Sequence, residues 1–173
     1  MMTENSAQSV LSVSDDGASK KEAAAEALLP WDFRKKVAEF QRPGVRLLEL
    51  QSERRSPRLS ERLSELGSSA KYDFPDCSFD LVINRYGSFN LSEVKRVLRT
   101  GGHFITEQVG ALEAPDSLPP EYNLENEAER FRKNGFKIVF REQFYSEPFC
   151  SDSDSAGSRQ IHRFMIIAKY KGG

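Results

Sequence analysis

Residues 74–110, FPDCSFDLVINRYGSFNLSEVKRVLRTGGHFITEQVG, decide the fold. Phe79 to Asn84 is a run of buried-strand character in which Leu81, Val82 and Ile83 stand side by side. Both faces of that strand therefore expect cover, as in a parallel sheet. Asn90, with Glu93 three residues on, makes a capping-box-like start to a helix presenting Leu91, Val94, Val97 and Leu98. Gly101-Gly102 is expected to stop the helix, and His103 to Val109 returns as a strand. Strand, helix and strand in this order make a β-α-β unit, so the chain is of the α/β class.

Downstream, residues 111–122 (ALEAPDSLPPEY) are rich in proline and read as a loop. Asn123 then caps a helix with Leu124, Ala128 and Phe131 on one face and Gly135 beyond its end. Phe136 to Phe144 alternates like a strand, residues 146–160 form a polar, low-complexity loop, and Ile161 to Tyr170 is the last strand. The loop lets the last two strands pair antiparallel.

Upstream, SSAKYD is a linker, and residues 57–66 read as a helix with Leu59, Leu63 and Leu66 on one stripe. Ser56 can cap that helix, Pro57 suits its first position, and Gly67 suits its end. Val45 to Leu50 (VRLLEL) follows a Pro-Gly break and is the first strand. Before it, Trp31, Phe33, Val37 and Phe40 share a helical stripe expected to pack on the sheet, which makes Trp31 a core residue in preference to a binding residue. Residues 1–29 are expected to be a disordered or weakly helical tail, and residues 30–173 one domain.

The chain has 173 residues, 38% of them hydrophobic and 29% charged, with a formal net charge of -1. With a mean hydropathy of -0.57, this describes a soluble globular chain without the basic footprint of a nucleic-acid or anionic-membrane binder. No segment approaches the apolar length of a membrane helix. Two cysteines, Cys77 and Cys150, form no CxxC pair, so a reducing, cytoplasmic home is expected and metal chemistry is not indicated.

FPDCSFDLVINRYGSF followed by EVKRVLRTGGHFI resembles the fourth-to-fifth-strand region of class I S-adenosylmethionine-dependent methyltransferases, in the branch called methyltransferase type 11. Phe74, Pro75, Asp76, Phe79, Asp80, Arg96, Val97, Leu98, Gly101 and Gly102 carry the likeness at the family's spacing; Thr100 stands where a proline is common. FITEQVG and HRFMIIAKY are similar to the fifth and last strands of a bacterial subgroup. The resemblance implies a Rossmann-like methyltransferase sheet with an antiparallel last strand, S-adenosylmethionine as cofactor and a small-molecule methyl acceptor.

Two departures matter. The family's glycine-rich turn after the first strand lets backbone approach the cofactor, whereas this chain reads LLELQSERR there, with no glycine. Residues 51–78 leave room for one helix and a connector, so the family's second and third strands have no counterpart. About five strands are expected, in the order first, fourth, fifth, last, sixth. The first strand is then an exposed edge open to a homodimer or protein partner.

Ligands of open α/β sheets sit beyond the carboxyl ends of the strands. By that rule and the resemblance, Glu49, Gln51, Ser52, Asn84, Arg85 and Tyr86 are the cofactor-side candidates. Glu107 and Gln108 are the substrate-side candidates. Asp80 belongs to the strand start, and His103 and His162 are expected to be structural. Two functions stay open: a methyltransferase homologue acting on a small molecule, or a non-catalytic remnant of the fold that acts by binding.

Overall fold

The computed structural model describes residues 24–50, 71–115, 118–147 and 160–172. The helix expected over 57–66, the candidates Gln51 and Ser52, and most of the 146–160 loop lie outside the described residues. The described elements are α1 (Phe33–Ala38), β1 (Leu47–Leu50), β2 (Phe79–Arg85), α2 (Leu91–Val97), β3 (Leu98–Val109), α3 (Leu124–Lys133), β4 (Phe136–Tyr145) and β5 (His162–Tyr170). They build a five-stranded sheet of order β1-β2-β3-β5-β4. β1, β2 and β3 run parallel, and β5 runs antiparallel to both β3 and β4. This is the strand order and the antiparallel last strand expected from the sequence.

Strand alternation sends successive residues to opposite faces, and each face has its own core. Val82, Phe104, Phe164, Ile166 and Ala168 meet Val94 and Val97 of α2 and Ala128 and Phe131 of α3. Leu81, Ile83, Ile105, Met165 and Ile167 meet Trp31, Phe33 and Val37 at α1. The unbroken apolar run of β2 therefore does mean cover on both sides. Phe104 and Phe131 stack at 5.6 Å, and neither has any solvent exposure.

The family-like motif closes the β-α-β unit. Arg96 on α2 donates to the carbonyls of Tyr72 and Phe74 at 2.8 Å each, to Asp76 at 2.6 Å and to both oxygens of Glu93. Arg96 holds the Glu93 carboxyl down at about 2, and Tyr72 N–H adds to the effect. Asp80 accepts from Arg46 N–H at 2.9 Å and pairs with Arg99 at 3.1 Å, tying the starts of β1 and β2 together. That is the structural role expected of it.

Three expectations need correction. First, α2 ends at Val97, before the glycines, because the fully buried Leu98 is already extended and pairs opposite Phe79. Gly101 (φ +84) and Gly102 instead absorb a register shift within β3; a Cβ at Gly102 would lie 2.9 Å from the Arg99 carbonyl and 3.0 Å from that of Asp80. Second, Asn90 does cap α2, but Glu93 turns to Tyr72 and Arg96, and the Asn90 N–H goes to the Tyr72 hydroxyl at 3.1 Å, so no reciprocal capping box forms. Third, β1 begins at Leu47, two residues later than expected, because Val45 N–H closes a turn onto Arg42 after Gly44 at φ +87.

Among the described residues no helix is long and apolar enough to cross a membrane. Also among them, no group of three or more His, Cys, Asp or Glu side chains is gathered as a metal site.

Candidate functional site at the carboxyl ends of β2 and β3

Parallel register brings Leu50, Asn84 and Thr106 side by side, and Arg85 beside Glu107, at the carboxyl end of the sheet. Period two then divides the candidates. Asn84, Thr106 and Gln108 form one polar group: Gln108 Nε2 donates to Asn84 Oδ1 at 2.6 Å and to Thr106 Oγ1 at 2.7 Å. All three are buried, and the Asn84 Nδ2 has no hydrogen-bond partner. Arg85 and Glu107 lie with Trp31 and Phe33 on the α1 side. Glu107 and Gln108, adjacent in sequence and grouped as one substrate wall, thus belong to different clusters.

Glu107 is the centre of the second group and has no solvent exposure. One oxygen accepts from Trp31 Nε1 at 3.2 Å; the other accepts from the Tyr86 hydroxyl and from Arg85 Nη2 at 3.5 Å. Arg85 Nη2 also pairs with Glu26 at 2.8 Å. The Arg85 guanidinium lies over the rings of Phe33 (5.2 Å) and Tyr86 (4.9 Å). Burial alone would lower the Arg85 pKa, but Glu107, Tyr86 and Glu26 outweigh it and the net shift is upward. Burial, reinforced by Glu107, pushes the Tyr86 hydroxyl far above its usual range, so it remains a proton donor.

Tyr86 has φ +56, a left-handed conformation that costs a bulky residue on the order of 1 kcal/mol. Its surroundings over-determine it. Its N–H donates to the Glu107 carbonyl at 2.8 Å, its hydroxyl to the Glu107 side chain, and the guanidinium of Arg163 lies over the ring at 4.6 Å. Arg163 is held in turn by a bidentate pair with Glu113, at 2.6 and 2.5 Å. Next to it His162 is buried against Tyr145 and accepts from Leu112 N–H at 3.3 Å through Nδ1. His103 packs against Phe40 with the rings tilted, their centroids 4.7 Å apart.

The remaining candidate, Glu49, is exposed in mid-β1 opposite Ile83. The sequence reading missed Trp31 as a site residue, together with Glu26, Glu113 and Arg163. For Arg163 there was a signal, a charge inside the apolar run HRFMIIA. For Trp31 the signal was Asp32, which caps α1 by accepting from Lys35 N–H and so leaves the indole ahead of the helix, on the approach to β3.

Of the described side chains expected to meet S-adenosylmethionine, the cofactor implied by the resemblance, Arg85 and Tyr86 bond to Glu107 and Glu49 faces solvent. The sequence from Gln51 to Arg55 holds no glycine. Among the described candidates, Asn84 Nδ2 and Arg85 Nε are buried without a hydrogen-bond partner.

No family model matches the sequence, and no curated protein matches it. Solved structures do. A protein assigned as a methyltransferase from Bacillus halodurans aligns over 82% of this chain and 99% of its own, at 15% identity and a TM-score of 0.53. The [4+2]-cyclase SpnF aligns over 93% of this chain and 86% of its own, at 18% identity and a TM-score of 0.55. An S-adenosylmethionine-dependent methyltransferase from Thermotoga maritima aligns over 91% and 96%, at 16% identity and a TM-score of 0.51. At these identities the likeness establishes the fold alone: the chain has the Rossmann-like sheet of class I methyltransferases.

Proposed function

We propose that this chain is a non-catalytic homologue of S-adenosylmethionine-dependent methyltransferases that acts by binding. One observation carries the reading. The carboxylate on the substrate side, Glu107, is wholly buried and its two oxygens are taken up by Trp31, Tyr86 and Arg85, with Glu26 closing over Arg85 from outside. Methyl transfer needs an acceptor held in line with a bound sulfonium. The substrate wall does not offer that placement, and the sequence after β1 has no glycine to let backbone approach a cofactor. The fold does not argue otherwise, because one of the similar structures belongs to a cyclase.

Calorimetric titration with S-adenosylhomocysteine tests this reading. No heat at millimolar ligand is the expected result, and micromolar affinity would overturn it. Such affinity would support the second reading, a methyltransferase acting on a small molecule. The observation favouring that reading is Asn84 Nδ2, buried without a partner beside the carboxyl end of β1.

A further inference from the structure

The guanidinium of Arg85 is held as a receptor is held. Its plane lies over the rings of Phe33 and Tyr86, and its inner side is fixed by Glu107 through Nη2. Its outward partner is Glu26, from the helical residues 24–28 ahead of α1, also through Nη2 at 2.8 Å. The neighbouring Nε is buried and has no hydrogen-bond partner.

A carboxylate meets arginine best in a bidentate way, with two parallel N–H···O bonds. Here Glu26 bonds Nη2, which Glu107 and the Tyr86 hydroxyl also meet, and leaves Nε, its neighbour on the same edge, buried without a partner. From that geometry we infer that Arg85 is the recognition residue of a site for a small organic carboxylate. In the structure the Glu26 side chain occupies the site as an internal stand-in, and a ligand carboxylate displaces it to engage Nε and Nη2 together. The flanking rings of Phe33 and Tyr86 favour a ligand whose carboxylate is attached to an apolar body. Arg163 does not compete for the ligand, because Glu113 already holds it in a bidentate pair.

The inference names a ligand class for the site of the proposed binding function, and it does not depend on whether S-adenosylhomocysteine binds. Trp31 is the only tryptophan in the chain and donates to Glu107, which shares Arg85. Its fluorescence therefore reads the site directly. Sodium propionate, which copies the end of a glutamate side chain, is titrated against sodium chloride at matched ionic strength, with propionamide as the neutral control.

A saturable change with propionate alone is expected. Glu26→Gln should tighten it about tenfold, since the competent state is no longer masked by the internal carboxylate. Arg85→Lys should abolish it, because an ammonium cannot present the two-donor edge. Glu26 is half-buried at the surface and its replacement by Gln preserves volume, so this variant retains the fold. Absence of a saturable response in Glu26→Gln, or an equal response to propionamide, would overturn the inference. So would a response in a folded Arg85→Lys as strong as in the wild type.

Discussion

Glu107→Gln tests whether the hydrogen bonds that converge on the buried Glu107 carboxylate stabilise the fold. The replacement keeps the shape of the side chain and one acceptor oxygen but turns the other oxygen into an NH2 group. If the oxygen stays with Tyr86 and Arg85, the new amide faces the Trp31 N–H across the present 3.2 Å, donor against donor. A buried N–H left without an acceptor costs about 1–3 kcal/mol. Arg85 loses a counter-charge held only at 3.5 Å and keeps Glu26 at 2.8 Å, and since Arg85 is itself partly exposed this adds only about 0–1 kcal/mol. The sum is roughly 2 kcal/mol of stability. With a urea dependence of about 1–3 kcal/mol per molar, the unfolding midpoint should fall by about 1 M. Trp31 fluorescence follows the transition, because the sole tryptophan sits at the altered bond. Glu107→Ala should cost more, about 3–5 kcal/mol, because Tyr86 and Arg85 lose their partner as well. A Glu107→Gln midpoint equal to or above the wild-type value would refute the reasoning; desolvation of the buried carboxylate would then outweigh its hydrogen bonds.

Two further outcomes follow from the packing at the end of β3. A Cβ at Gly110 would run into the imidazole of His162, which is wedged between Tyr145 and Phe164, so Gly110→Ala should destabilise by about 1–3 kcal/mol. His162→Ala should relieve most of that cost in the double mutant, and a urea double-mutant cycle reads the coupling. The His162 pKa lies below 6.5 because burial disfavours the imidazolium, with Glu113 opposing weakly. A depressed folded-state value means the unfolded chain binds more protons. The contribution is therefore complete above pH 6.5 and shrinks as pH falls below it toward the folded value. His103 shifts the same way, through burial and Lys169, so His162→Phe should flatten part of the pH dependence of the unfolding midpoint and His162→Phe with His103→Gln the rest. Equal slopes in the wild type and the double mutant would contradict this assignment.

What could be read from the sequence is what closes locally. Phe74, Asp76, Arg96 and Gly102 keep family spacing because their partners lie within one β-α-β unit, and Asp80 meets Arg99 of that unit besides the Arg46 N–H. Arg96 holds the chain that enters β2, and Gly102 lets β3 pass close to the Asp80 carbonyl. Those side-chain contacts close over 19 to 22 residues of one unit, so a spacing pattern records them. The strand order followed from the family resemblance, with the 28 residues between Leu50 and Phe79 leaving no room for the family's second and third strands. The site is held by the opposite kind of contact. Trp31 and Glu107 are 76 residues apart and Glu113 and Arg163 are 50 apart, and no periodicity relates either pair. Glu107 and Gln108 looked like one wall because neighbours in sequence look like neighbours in space, but a strand sends them to opposite clusters. The division also explains how the motif persists in a chain whose turn after β1 carries no glycine. Among the described residues its side chains clasp Tyr72, Phe74, Asp76 and Asp80 and touch none of the candidate site residues, so they are held in place by the stability of the sheet. A motif of that kind identifies the fold and leaves the chemistry to be decided at Arg85, Glu107 and the sequence beyond Leu50.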